Sequence, residues 1–123
     1  MKNIAYIFLF FSTFLHAHVI EVGTNKPVKS IKKALSLAKD GDTVLVHKGI
    51  YKEGNIIIDK KIVFMGKNFP ILDGQKKYEV LSIKADSVVV QGFKVIRSGY
   101  ASLEDPCAIK VYNKNNVVIQ NNV

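Results

Sequence analysis

Three short apolar runs return along this chain, each closed by a small or turn-forming residue. They are Ile62-Val63-Phe64-Met65-Gly66, Val88-Val89-Val90-Gln91-Gly92 and Val117-Val118-Ile119-Gln120-Asn121. The steps from Gly66 to Gly92 and from Gly92 to Asn121 are similar in length. A period in this range signals stacked supersecondary units, none of which can bury its apolar face without a neighbour. The repeat therefore predicts a solenoid, with any function carried on its surface.

From Thr43 onward the chain reads as short strands separated by sharp breaks. The predicted strands are Thr43–Val46, Ile56–Ile58, Ile62–Met65, Ile71–Leu72, Val80–Ile83, Val88–Val90, Phe93–Ile96, Ile109–Tyr112 and Val117–Ile119. The breaks carry Gly49, Gly54-Asn55, Asp73-Gly74, Asp86-Ser87 and Asn113 to Asn116. These residues supply positive φ and side-chain-to-backbone bonds. Gly41, Gly49, Gly66, Asp73, Gly74, Gly92, Asn121 and Asn122 are the expected turn and ladder residues. A hairpin could be drawn at Asp73-Gly74, but hairpins do not explain why similar strands return at the longer spacing. Three strands per coil, like stacked on like, do explain it, and allow three to four coils at about 25 residues each.

Ahead of the coils, His18 to Gly23 fits an edge strand. Ser30 fits an N-cap, and Ile31, Ala34, Leu35 and Ala38 form one apolar helical stripe. Lys39 is expected in the last turn and Gly41 as a left-handed stop. This helix is the natural lid for the open end of a stacked β-core. The segment 18–41 is thus read as strand and capping helix, and 42–123 as a partial β-helix.

Residues 1–17 read as a secretory signal peptide. Lys2 is the positive start, Ile4 to Leu15 the apolar segment, and Leu15-His16-Ala17 the cleavage site. The apolar run is shorter than the roughly 20 residues a membrane span needs. The mature chain, His18 to Val123, is then exported and at most peripheral to a membrane. Export usually brings disulfides, but the single cysteine, Cys107, cannot form an internal one, and it is read as a buried small hydrophobe. Without Lys2 the chain carries 17 basic and 10 acidic residues, formally +7, and Arg97 is its lone arginine. An anionic partner would use that charge, but the lysines are spread rather than massed, as on a solvated surface. No nucleic-acid motif is present.

Chemistry is sparse. Asp73 and Asp86 precede turn residues and are read as turn formers. His47 ends an apolar strand and is read as hydrogen-bonded there. His18, next to a new amino terminus, offers a weak copper chelate of a kind many exported proteins share. His18, His47, Met65 and Cys107 are not paired at ligand spacing, so neither a metal set nor a catalytic set is assigned. The polar excursion Ser98 to Pro106 interrupts the rhythm and is the best candidate binding feature, with Tyr100, Glu104 and Asp105 as its side chains. The last residues, Val117 to Val123, stop inside a coil, which is read as a C-terminally truncated solenoid belonging to a longer protein.

The run Asp42-Thr43-Val44-Leu45-Val46-His47-Lys48-Gly49-Ile50-Tyr51-Lys52-Glu53 resembles the opening coil of right-handed parallel β-helix proteins of the pectin-lyase-like group. The continuation through Ile56-Ile57-Ile58-Asp59-Lys60, Pro70-Ile71-Leu72-Asp73-Gly74, Ala85 to Phe93, Ser98-Gly99 and Gln120-Asn121-Asn122 is similar in order to the N-terminal third of the NosD family. That resemblance implies an all-β right-handed β-helix and a non-enzymatic periplasmic role. Its partners would be an ABC-type ATPase and permease and the apo form of nitrous-oxide reductase, whose copper–sulfur centre the system assembles. It implies no cofactor in this segment, copper being the cargo of the wider system. A carbohydrate-active β-helix enzyme of pectin-esterase or lyase type and a generic surface or sugar-binding β-helix are the alternatives.

Overall fold

The computed structural model describes residues 17–99 and 108–123. Its elements are β1 (Val19–Val22), α1 (Ile31–Leu37), β2 (Thr43–Val46), β3 (Ile50–Tyr51), β4 (Ile56–Ile58), β5 (Val63–Gly66), β6 (Ile71–Asp73), β7 (Leu81–Ile83), β8 (Val89–Gln91), β9 (Lys94–Ile96), β10 (Ile109–Val111) and β11 (Val118–Gln120). The strands make three parallel sheets, ordered β1-β2-β5-β8-β11, β3-β6-β9 and β4-β7-β10. Because each strand pairs with its counterpart one coil away, the chain winds as a right-handed parallel β-helix of about four turns, with one short helix.

The repeat seen in sequence is the register of the first sheet: Val63 pairs with Val89 and Val89 with Val118. The earlier coils are uneven. Val19 pairs with Thr43 and Thr43 with Val63, the second step shorter than the first and both shorter than those that follow. The inward column Val44, Phe64, Val90 is fully buried, as are Leu72, Leu81 and Ile83 on the other sheets. At the end of that column Ile119 is 43% exposed, because no further coil lies over it among the described residues.

Several strands begin one residue later than predicted. Ile62, Val80, Val88 and Phe93 are buried, but they sit at corners ahead of the ladders of β5, β7, β8 and β9. Turning a corner points consecutive side chains inward, so apolar residues occur where no strand pairing does. Strand β3 lies outside the predicted set; two residues are too short to show an alternation.

The helix also differs from expectation. Ser30 caps it, its Oγ accepting from Lys33 N at 3.2 Å, but it ends at Leu37 with Ala38 extended. Lys39 therefore lies outside the last turn. Lys60 of the next coil takes carbonyls at this end, its Nζ donating to Leu35 O at 2.8 Å and Ala38 O at 2.7 Å. Gly41, at φ +93°, serves the following turn and donates its N–H to Lys61 O. Ile31, Ala34 and Ala38 are buried, and α1 packs on β1, β2 and β4 as a lid over the first coil.

Candidate functional site

The most informative polar cluster surrounds the lid. Glu53, on the loop after β3, reaches the N-terminus of α1. Its Oε2 accepts from Ile31 N at 2.8 Å, and its Oε1 accepts from Ser30 Oγ at 2.7 Å and Lys32 N at 3.0 Å. A carboxylate satisfies unpaired N–H groups there and complements the helix dipole. Tyr51, two residues earlier, is mostly buried and donates its hydroxyl to His47 O at 2.8 Å. Burial first, and the Glu53 carboxylate second, raise its phenol above the ordinary value.

Just beyond the helix's other end Asp42 also binds backbone N–H groups, neither of them from the helix itself. Its Oδ2 accepts from Lys39 N at 2.9 Å and its Oδ1 from His18 N at 3.0 Å. Those two backbone bonds, His18's the larger, hold its carboxyl below the usual range despite burial. Asp40 Oδ1 accepts from Lys61 N. The acidic residues in and beside the opening-coil motif thus bind backbone N–H groups.

Two clefts flank this region. A groove of about 330 Å³ runs between α1 and β4, lined by Lys32, Leu35, Ser36, Asn55, Asp59 and Lys60 among others. A second, of about 370 Å³, lies where the first sheet turns toward the second, lined by Asn25, Lys26, His47, Lys48, Lys67 and Asn68 among others. Its three lysines come from successive coils, so the parallel register gathers cations that are scattered in sequence. His47 Nε2 pairs with Glu21 Oε1 at 2.8 Å, and Lys26 Nζ lies 3.5 Å from the same oxygen. The His47 hydrogen bond, followed by the Lys26 charge, lowers the Glu21 carboxyl.

The remaining expected turn residues fall at coil corners. Gly66 and Gly92 stack so closely that a β-carbon on either would meet the other's carbonyl oxygen. Asn121 adopts φ +54° above Gly92. Asn122 Oδ1 accepts from Phe93 N at 2.9 Å and its Nδ2 donates to Val90 O at 3.1 Å, a side-chain tie between coils. A β-carbon on Gly49 would meet the Tyr51 ring, and one on Gly74 would meet the Arg97 carbonyl oxygen and Val80. Asp73 Oδ1 accepts from Gln75 N at 2.8 Å, a turn bond, and the carboxylate also pairs with Arg97. Asp86 Oδ1 accepts from Asn115 N one coil away. Tyr100, Glu104, Asp105 and Cys107 lie outside the described residues.

One network has no signal in the sequence. Asn55 Nδ2 donates to Ser82 Oγ, which donates to Glu79 Oε1, while Tyr112 Oη donates to Glu79 Oε2 at 3.0 Å. Lys84 and Lys110 Nζ sit 4.7 and 4.9 Å from the Tyr112 ring centroid. The four hydrogen-bonded residues span three coils, so only the winding brings them together. Among the described residues, no three His, Cys, Asp or Glu side chains converge as a metal site. No helix of the described residues is long and apolar enough to cross a membrane. No known protein family, curated protein or solved structure matches the chain.

Proposed function

We propose that this chain is the β-helix scaffold of an exported assembly system of the NosD type, acting without catalysis in the periplasm. In this reading it presents its lateral face to an ABC-type permease with its ATPase and to apo nitrous-oxide reductase, whose copper–sulfur centre is being built. The observation that carries the reading is the use made of the opening-coil motif. Glu53 fastens the lid helix, and Asp42 the residues just beyond it, to the first coil through backbone N–H groups. Asp73 and Asp86 likewise tie turns to neighbouring coils. Sugar hydrolysis instead asks for carboxylates facing a substrate at defined separation. A stacked solenoid with a sealed first coil provides a stiff surface, which is what presentation requires.

The test is deletion of the gene in its host, followed by isolation of nitrous-oxide reductase. Reductase lacking the copper–sulfur chromophore, restored by a plasmid copy, is the expected result. Reductase with a full centre overturns the reading. So does release of reducing ends from polygalacturonate by the purified protein, which would move it to the carbohydrate-active class.

A further inference from the structure

The pairing of Val19 with Thr43 sets His18 beside Asp42, one coil further along the chain. His18 O accepts from Thr43 N at 2.8 Å, so the backbone of His18 is held by the sheet. Its N lies 3.0 Å from Asp42 Oδ1, and its ring Nδ1 lies 3.8 Å from the same oxygen. Asp42 is fixed from behind by Lys39 N, and its side chain is 7% exposed, whereas that of His18 is 76% exposed. A rigid, shielded oxygen therefore faces an accessible imidazole and backbone nitrogen.

With Ala17 attached, that nitrogen is an amide whose lone pair is delocalised into the carbonyl and whose N–H is donated to Asp42, so it is a poor ligand unless deprotonated. Hydrolysis of the Ala17–His18 bond by a signal peptidase consumes one water, leaves Ala17 as a carboxylate and makes this nitrogen a primary amine. We infer that cleavage after Ala17 creates a divalent copper site, its donors being the α-amine and Nδ1 of His18 and Oδ1 of Asp42. Amine and Nδ1 of one histidine close a six-membered chelate ring. With bonds of about 2.0 Å, cis donors of a square plane lie about 2.8 Å apart and trans donors about 4.0 Å. The amine–carboxylate separation of 3.0 Å fits a cis edge, and the imidazole–carboxylate separation of 3.8 Å fits the trans diagonal. These three donors leave a fourth corner for water or a donor from a partner. Nitrogen and oxygen donors in a tetragonal set favour Cu²⁺ over the other divalent first-row ions. The Asp42 charge offsets part of the metal's.

This inference rests on the export step of the reading above, and its tests separate the two. Amino-terminal sequencing of the protein exported from cells carrying the full 123-residue sequence is expected to begin at His18. Any other first residue overturns the inference, while the reductase assay judges the assembly role independently. Titration of the exported protein with CuSO₄, followed by electron paramagnetic resonance, is expected to show one tetragonal Cu²⁺ with two nitrogen donors. Its affinity should be at least about tenfold above that of the peptide His-Val-Ile-Glu-Val-Gly, which carries the chelating histidine without Asp42. Equal affinities overturn the site. His18→Ala, an exposed change that spares the fold, should abolish the signal, and a retained signal overturns it as well. Asp42→Asn should fall to the peptide's affinity; should it unfold, the protein-against-peptide comparison still decides.

Discussion

Arg97 and Asp73 meet on adjacent coils, where the guanidinium forks over both carboxylate oxygens, Nε at 3.0 Å from Oδ1 and Nη2 on Oδ2. The carboxylate is buried, while the arginine side chain is about half exposed. The one arginine of the chain is thus committed to a bidentate pair, a geometry that lysine cannot reproduce.

That pair predicts a pH dependence. The Arg97 hydrogen bond first, then the Gln75 N–H and the Arg97 and Lys52 charges, hold the Asp73 carboxyl below its ordinary value against its burial. A carboxylate depressed in the folded state stabilises it fully above the unfolded pKa of about 3.9. The contribution is lost as pH falls through the lower folded value. Arg97→Met should reduce the urea midpoint at pH 7, and the gap to the parent protein should narrow on acidification below about pH 4. A gap that stays constant with pH would show that the pair is not its source.

The lid depends on Glu53. Glu53→Ala leaves Ile31 N and Lys32 N without their partner and should cost about 1–2 kcal/mol of unfolding free energy. Glu53→Gln retains an acceptor and should cost less. Hydrogen exchange at the amides of residues 31–34 reports the effect locally, and unchanged protection there would contradict the capping role.

Phe64 and Phe93 stack across neighbouring coils with ring centroids 4.3 Å apart and planes 18° from parallel, both fully buried. Phe93→Ala should cost about 3–5 kcal/mol, a large share of the stability of a small domain. Phe93→Leu should recover most of it. Denaturant titration distinguishes them.

Gly66→Ala tests the tightest inter-coil approach. The new methyl would meet the Gly92 carbonyl and the Pro70 ring together, and neither is a flexible chain end. A loss of at least about 1–3 kcal/mol is expected from overpacking. A substitution with no effect on the unfolding midpoint would mean that the corner opens.

Much of the architecture was legible because a β-helix stacks like on like. A recurring apolar run closed by a turn residue is both a local strand signal and a record of which strands pair, so Val63, Val89 and Val118 disclosed the first sheet. Ser30 and the apolar stripe beginning at Ile31 likewise marked the lid by chemistry local to the helix start. What stayed hidden depends on partners one coil away. The coils differ in length, Thr43 to Val63 being the shortest step of the first sheet and Val89 to Val118 the longest, so no fixed offset tells which side chain faces which. Glu53 on the helix N-terminus, Lys60 on its C-terminus, Arg97 on Asp73 and His18 on Asp42 are all contacts of this kind. The sequence by itself determined the repeat and the stacking of like strands, because apolar periodicity is carried residue by residue. Only the tertiary structure decided which charged groups became caps, ties or a candidate metal ligand, because that follows from register accumulated over whole coils.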